Sequence, residues 1–148
     1  MTKLSIVIVA KNEASNIYDC VKSAAFADEI LVIDSGSVDQ TINLAKKAGA
    51  RVIKKKWLGY GPQQNLAIKA SKGDWIFSLD ADERISSALA QEILQAIKKE
   101  TSFVYNVPRR SLFVSRFMDH SGWRPDFTKR LFKRGHAKFT EHEVHAHL

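Results

Sequence analysis

Two acidic residues, Asp80 and Asp82, have the types and the spacing in this sequence that are best suited to chemistry. They flank Ala81 and follow directly after the largely apolar residues 75–79. A strand that ends in Asp-x-Asp places two carboxylates at the edge of a sheet. Hard divalent cations such as Mg²⁺ or Mn²⁺ prefer oxygen ligands, and phosphate oxygens can complete their shell. The motif therefore indicates either a site where a metal holds a diphosphate or a solvated turn.

Strand-like and helix-like patterns alternate along the first hundred residues. Continuous apolar runs predict buried strands, and apolar positions three or four apart predict helices. Strands are expected at residues 5–10, 29–34, 51–53, 75–79, 103–107 and 128–134, and helices at 12–25, 41–48, 63–70 and 86–99. The last helix is expected to bury Leu89, Ile93, Leu94 and Ile97. This alternation predicts an α/β fold, a Rossmann-like and mostly parallel sheet with helices on both faces.

Three polar loops follow predicted parallel strands, at residues 11–13, 34–37 and 80–83. Ligands of open α/β sheets bind beyond the carboxyl ends of the strands, so these loops should meet at one edge. The first strand is followed by no Gly-x-Gly-x-x-Gly, and the chain has no Gly-Lys-Ser/Thr phosphate loop. Ordinary dinucleotide-binding and NTPase interpretations therefore lose support.

The bulk composition is that of one globular domain. The chain has 148 residues, of which 45% are hydrophobic and 26% charged, enough to bury a core. Cys20 is the single cysteine, so an intrachain disulfide is impossible, which fits a reducing compartment. The apolar run at residues 4–10 is too short to span a bilayer. We expect a cytoplasmic protein, or one peripheral on the cytoplasmic face of the inner membrane.

Positive charge is concentrated in the last third of the chain. Residues 1–100 carry 14 Lys and Arg against 12 Asp and Glu, and residues 101–148 carry 9 against 4. This asymmetry indicates an anionic partner: nucleotide phosphates, anionic lipid or nucleic acid. Nucleic acid is disfavoured because no recognised binding motif accompanies the charge and acids line the predicted sheet edge. Phosphate contacts or a lipid-facing surface are open roles for Arg109, Arg110, Arg116, Arg124 and Arg130.

Taken in order, these motifs resemble the inverting glycosyltransferases of family 2. The resemblance is strongest to the subgroup that adds glucose or a related sugar to the lipopolysaccharide inner core. It is carried by residues 5–13, 29–41, 59–65, 80–83, 122–126 and 130–134, and it covers nearly the whole chain. It implies a GT-A fold, a nucleotide-sugar donor such as UDP-glucose, a divalent metal (Mg or Mn) and a lipid-linked saccharide acceptor. The expected activity is transfer of a hexose with inversion.

The resemblance also implies roles for individual residues. Those expected to bind the nucleotide sugar are Ala10, Asn12, Glu13, Asp34, Asn65, Asp80, Ala81 and Asp82. Asp80 would face the ribose or the donor sugar, Asp82 the diphosphate, and both would hold the metal. Asp39 belongs either to this site or to the start of the second helix, as an N-terminal capping charge.

One-step inversion needs a general base that deprotonates the acceptor hydroxyl. The subgroup ends this region with Val-His-Glu, whereas this chain has Val144-His145-Ala146. We therefore predict Glu143 as a substitute catalytic base.

The predicted organisation is a single domain over residues 1–148. Residues 1–107 form its nucleotide-sugar-binding half, and 108–148 an incomplete acceptor-side portion of a C-terminally truncated chain. One alternative is a nucleotide-sugar-binding domain with impaired catalysis. Another is a sugar nucleotidyltransferase, although residues 11–14 lack the glycine-rich, basic signature that this class would need.

Overall fold

The computed structural model describes residues 2–108, 111–114 and 127–139 of the chain. The elements, in chain order, are β1 (Leu4–Ala10), α1 (Ile17–Ser23), β2 (Glu29–Asp34), α2 (Thr41–Ala48), β3 (Arg51–Lys54), α3 (Tyr60–Ala70), β4 (Trp75–Ser78), β5 (Glu83–Ile85), α4 (Ser87–Lys99), β6 (Val104–Pro108), β7 (Leu112–Val114) and β8 (Phe127–Lys133).

Six strands form the main sheet in the order β3-β2-β1-β4-β8-β6. The first four are parallel, and β8 is antiparallel to both of its neighbours. A second sheet consists of β5 and β7, which pair antiparallel. The mostly parallel sheet predicted from the alternating pattern is therefore present. The insertion of β8 between β4 and β6, and the small second sheet, were not predicted.

The two faces of the main sheet bury different helices. On one face the inward side chains of α1, α2 and α4 pack against one set of strand residues, which includes Ile6 and Ile8 of β1. On the other face Ala67 of α3 packs against a second set, which includes Val7. Because successive side chains of a strand point to opposite faces, a continuous apolar run such as β1 serves both cores.

Helix α1 is shorter than predicted, beginning at Ile17 rather than at residue 12. Asn12 has a φ of 54°, in the left-handed region that does not continue a helix. The carbonyl of Glu13 then accepts the N–H groups of Asn16 and Ile17, at 2.9 and 2.8 Å. Residues 12–16 thus form turns at the carboxyl end of β1.

Two further predictions about the helices are corrected. Helix α3 begins at Tyr60 rather than at residue 63, since Gly59, with a φ of 105°, precedes it and Pro62 lies in its first turn. Proline is tolerated there because first-turn N–H groups have no partner within the helix. Leu94 of α4, predicted to be buried, is 45% exposed. Leu89, Ile93 and Ile97 are spaced four residues apart and take the inward side of α4.

No helix in the described part of the chain is both long and apolar enough to cross a membrane.

Candidate functional site

A cleft of about 260 Å³ opens at the carboxyl edge of the parallel strands. The strand ends meet there because Ala10 of β1 is in register with Asp34 of β2, and Asp34 with Lys54 of β3. The predicted donor-binding residues that line the cleft are Ala10, Glu13, Asp80, Ala81 and Asp82. A larger cavity, of about 390 Å³, lies at the opposite edge beside Glu29 and Gly73, away from the acidic loop.

The two aspartates of the acidic loop have different surroundings. Asp80 Oδ1 is 3.5 Å from the Tyr60 hydroxyl, and Asp80 Oδ2 is 3.4 Å from Nη2 of Arg130. Asp82 lines the cleft, and within residues 2–108, 111–114 and 127–139 no side chain or N–H group donates a hydrogen bond to its carboxylate. Asp82 therefore offers the less engaged carboxylate to a ligand.

A buried ion pair lies behind this loop. Arg130 donates from Nη1 to Glu83 Oε1 at 2.8 Å and from Nη2 to Glu83 Oε2 at 2.9 Å. The side chains are only 7% and 3% exposed. Arg130 is therefore not part of an exposed phosphate-binding or lipid-facing surface, which corrects both roles left open for it. The ion pair between Arg130 and Glu83 could not be predicted from the sequence pattern, because the two residues are far apart in the chain. Arg130 lies in a strand whose residues alternate, and this pattern does not identify a buried charge.

Burial and charge act against each other in this pair. Burial, followed by the negative charge of Asp80, raises the pKa of the Glu83 carboxyl, and Arg130 opposes this change. Burial alone would lower the pKa of the Arg130 guanidinium, but the charges of Asp80 and Glu83 outweigh it and that pKa is raised. Arg130 is consequently a permanent positive charge beside the acidic loop.

Asn12 connects the first loop to the second. Its Oδ1 accepts the N–H of Val38 at 2.8 Å, and its own N–H donates to Ser37 Oγ at 2.8 Å. Asn12 is exposed and does not line the cleft. Its observed role is thus to hold two loops of the cleft together.

The carboxylate of Asp34 is buried within its own loop. Its Oδ2 accepts the N–H groups of Gly36 and Ser37 at 3.1 and 2.9 Å, and its Oδ1 accepts the Ser37 hydroxyl at 2.5 Å. These bonds shape the loop after β2, from which Ser35 reaches the cleft. A carboxylate has about four acceptor positions, so capacity for a further donor remains.

Asp39 has the capping role that was one of its two interpretations. Its Oδ1 accepts the N–H of Thr41, the first residue of α2, at 3.0 Å and also the Thr41 hydroxyl. These hydrogen bonds lower the pKa of the Asp39 carboxyl. Its Oδ2 accepts the N–H of Ala14 at 3.3 Å, and Thr41 Oγ1 accepts the N–H of Glu13 at 2.8 Å. The start of α2 is therefore tied to the first loop.

Six residues outside the predicted site set also line the cleft: Val9, Lys11, Ser35, Trp57, Tyr60 and Gln64. Burial and the charge of Asp80 raise the pKa of Tyr60 to about 12, so its phenol is neutral at physiological pH. The loop before α3 is held by Gln63, whose Nε2 donates to the Lys55 carbonyl at 3.1 Å and whose Oε1 accepts the Leu58 N–H at 3.1 Å. In the sequence, the aromatic residues within 57–60 were the feature that could have indicated this side of the cleft.

Asn65 faces a different partner. Its Nδ2 donates to the carbonyl of Phe139 and its Oδ1 accepts the Phe139 N–H, both at 2.8 Å. Asn65 is absent from the lining of the 260 Å³ cleft, so its contribution to donor binding stays a prediction. Glu143, with Val144-His145-Ala146, lies outside the described residues, as do Arg109, Arg110, Arg116 and Arg124.

The side chains that could ligate a metal in the cleft match the preferences of a hard cation only in part. The described residues contain no group of three or more His, Cys, Asp or Glu side chains arranged to hold a metal ion. Asp80 and Asp82 supply carboxylate oxygens, which Mg²⁺ and Mn²⁺ accept, and both cations commonly take their remaining oxygens from water and substrate phosphates. The residues present therefore fit a metal that arrives with a diphosphate better than one held by protein alone.

Comparison with known proteins identifies the family. The model of glycosyl transferase family 2 matches residues 5–146. The chain belongs to this family. An uncharacterized glycosyltransferase of Rickettsia bellii is 45% identical over 92 residues, which are 62% of this chain and 31% of that protein. The lipopolysaccharide core biosynthesis glycosyltransferase LpsC of Rhizobium meliloti is 30% identical over 142 residues, 92% of this chain and 53% of LpsC. The chain thus spans about a third to a half of these family 2 relatives.

Solved structures show the same fold. The chain matches residues 1–349 of Staphylococcus aureus TarS, solved with UDP-GlcNAc, with a TM-score of 0.61 and 24% identity, covering 69% of this chain and 33% of that TarS chain. It matches glucosyl-3-phosphoglycerate synthase of Mycobacterium tuberculosis, solved with Mn²⁺, UDP and glucosyl-3-phosphoglycerate, at the same TM-score and identity, covering 70% and 42%. The predicted GT-A fold is confirmed.

Proposed function

We propose that this family 2 chain binds a nucleoside-diphosphate hexose, with UDP-glucose as the first candidate, and transfers its sugar with inversion to a lipopolysaccharide core acceptor. The observation that carries the proposal is the cleft at the carboxyl edge, where Asp80 and Asp82 lie beside Ala10 and Glu13. Solved structures of the same fold contain UDP-GlcNAc, or UDP with Mn²⁺, which supports a uridine nucleotide.

Each part of the cleft has a chemical task in this proposal. The backbone of Ala10 and the carboxylate of Glu13 accept hydrogen bonds from the base or ribose. The Asp34 carboxylate does not line the cleft and would accept a further donor with its remaining capacity. Asp80 faces the ribose or the donor sugar. Asp80 and Asp82 would hold the divalent metal, which neutralises diphosphate charge and improves the leaving group. The neutral Tyr60 phenol supplies a hydroxyl donor beside Asp80.

Calorimetry tests donor binding. UDP-glucose and other sugar nucleotides are titrated with and without Mn²⁺ into the wild type, Asp82→Ala and the control Glu92→Ala. Glu92 is an exposed acid on α4, so its variant removes the same charge away from the cleft. We expect Mn²⁺-dependent binding that Asp82→Ala weakens at least about tenfold, since even the outer partners of metal ligands typically contribute that much. Equal metal-free binding by all three proteins would falsify the metal assignment.

The proposal for the acceptor side is supported by the relative LpsC, a glycosyltransferase of lipopolysaccharide core biosynthesis. We propose a lipid-linked saccharide acceptor, peripheral contact with the cytoplasmic face of the inner membrane, and Glu143 as the general base. The division into a donor-binding half, residues 1–107, and an acceptor-side portion, 108–148, belongs to the same proposal. Sugar transfer to core saccharide acceptors, measured on the wild type and Glu143→Ala, tests the base. Unchanged transfer by Glu143→Ala would exclude that role.

Turnover separates this proposal from its first alternative. A binding domain with impaired catalysis would bind the donor with metal but release no free sugar and transfer none. The nucleotidyltransferase alternative would instead form a sugar nucleotide from a nucleoside triphosphate and a sugar phosphate. Product analysis by chromatography distinguishes the three outcomes.

A further inference from the structure

Arg130 connects strand β8 to the acidic loop through a set of short contacts. It lies one residue before Leu131, which is in register with Phe77 of β4. Its Nη1 donates to the Ser78 carbonyl at 2.9 Å, in addition to the two bonds to the Glu83 carboxylate. The guanidinium therefore spans from the end of β4 to the start of β5. Planar, bidentate pairing of this kind fixes geometry as well as charge.

Glu83, which Arg130 holds in place, in turn binds the backbone of Asp80. Glu83 Oε1 accepts the Asp80 N–H at 2.9 Å, and the Glu83 N–H donates to the Asp80 carbonyl at 2.9 Å. The Asp80–Glu83 turn is thus closed by both backbone groups of Asp80. Cys20 Sγ makes a third contact with it, at 3.4 Å from the Asp80 carbonyl. The backbone that carries the acidic pair is consequently fixed to β8 through Glu83 and Arg130.

The carboxylate of Asp80 is held less tightly than its backbone. Its contacts to Arg130 and Tyr60, at 3.4 and 3.5 Å, are longer than the 2.7–2.9 Å typical of strong charge-assisted bonds. The Asp80 side chain is 32% exposed, against 3% for Glu83. Arg130 and Tyr60 therefore flank the carboxylate, one at each oxygen, and still leave it accessible from the cleft.

A contribution to the stability of the fold is a weak explanation for the presence of this buried ion pair. Apolar replacement of a buried ion pair is often neutral or stabilising, because desolvation offsets the attraction between the charges. A positional role accounts for the bidentate geometry and for the choice of arginine. We infer that Arg130, anchored by Glu83, is a positioning residue that holds Asp80 in the orientation needed to bind the donor and its metal. This inference rests on the proposed function.

Two variants and one control test it. Arg130→Lys keeps the charge and loses the bidentate fork. The double variant Arg130→Met with Glu83→Gln removes both charges together and keeps an acceptor for the Asp80 N–H. The control is Arg134→Met, since Arg134 donates to the carbonyls of Gly73, Ile68 and Ser71 at 2.8 Å each, away from the cleft. Its loss should lower the unfolding temperature without affecting the acidic loop.

The readouts are the Kd for UDP in the presence of Mn²⁺, from calorimetry, and hydrogen exchange of the Asp80 amide without ligand. We expect Arg130→Lys and the double variant to raise the Kd about 10–100-fold, the range found for residues that orient metal ligands. Exchange at Asp80 should accelerate at least severalfold in Arg130→Lys. The control should keep both values within about twofold of wild type, at a temperature where every variant is folded.

The possible results separate the inference from the proposed function. Suppose that the wild type binds UDP with Mn²⁺ and that Arg130→Lys has the same Kd and the same exchange rate at the Asp80 amide. This result would overturn the inference and leave the proposed function intact. A raised Kd in the control as large as in the Arg130 variants would also overturn it, because general destabilisation would then explain the loss. Failure of the wild type itself to bind UDP with Mn²⁺ would overturn both. If the double variant does not fold, Arg130→Lys decides.

Discussion

Replacing Asn12 tests how the first two loops of the cleft are held together. Asn12 has a left-handed φ of 54°, and its side chain accepts the Val38 N–H. Asn12→Ala loses this hydrogen bond and places a side chain with no local compensation in the left-handed region. Asn12→Gly loses the same bond, but glycine adopts a positive φ without steric cost. The two variants therefore differ mainly in backbone strain.

The magnitudes follow from these two terms. An intramolecular hydrogen bond contributes about 0.5–1.5 kcal/mol, and the bond of the exposed Asn12 should lie at the low end. The left-handed conformation costs about 1 kcal/mol for a residue such as alanine. We expect Asn12→Ala to lower the free energy of unfolding by about 1.5 kcal/mol and Asn12→Gly by about 0.5 kcal/mol. Losses of this size are measurable against a typical total of about 5–15 kcal/mol.

Urea denaturation of the three proteins measures the free energies, with Asn43→Ala as a control on the exposed surface of α2. Calorimetry with UDP-glucose then distinguishes two roles of Asn12. If the Asn12 side chain touches the donor, both variants should lose the same affinity for UDP-glucose. If it positions the loop, Asn12→Ala should lose more affinity than Asn12→Gly. We expect the second result, since Asn12 does not line the cleft. Equal stability of the Ala and Gly variants would refute the strain argument.

Three further predictions concern other parts of the chain. Partial burial would raise the pKa of Glu29, but hydrogen bonds from Ser5, Arg51 and the Lys72 N–H outweigh it and lower that pKa from its ordinary value of 4.5. The ionised form of Glu29 therefore stabilises the fold above about pH 4.5, and this contribution is lost as the pH falls below that value. In urea denaturation, Glu29→Gln should be less stable than wild type at pH 7, and the difference in the free energy of unfolding should be smaller at pH 3. A difference that does not change with pH would contradict this reasoning. A Cβ on Gly73 would lie 2.6 Å from the Ser5 nitrogen and 2.7 Å from Ser5 Oγ, so Gly73→Ala should lose about 1–3 kcal/mol of stability; a change below about 0.5 kcal/mol in urea denaturation would show that the strands relax freely. Burial raises the pKa of the Cys20 thiol, so a colorimetric disulfide reagent should react with it only in denaturant, and rapid labelling of the folded protein would indicate that α1 opens.

Local patterns were enough to predict the architecture of the donor side. The apolar run of β1 serves two cores, and such runs alternating with helical stripes specify parallel strands. The carboxyl ends of parallel strands must share an edge, which is why Ala10, Glu13, Asp80 and Asp82 could be expected together. Periodicity was less reliable where local conformation intervened. The left-handed backbone at Asn12 delays α1, and the glycine at position 59 allows α3 to begin early.

The sequence by itself determined the alternation of the four parallel strands with helices and the acidic pair at the shared edge of those strands, because both follow from the spacing of residues that are close together in the chain. Only the tertiary structure decided which distant residues pair with one another. Arg130 meets Glu83 from 47 positions away, and Asn65 pairs with the backbone of Phe139 across 74. Such partners are chosen by the antiparallel placement of β8 beside β4 and by burial, which makes an unpaired charge too costly to leave. No local pattern contains either condition.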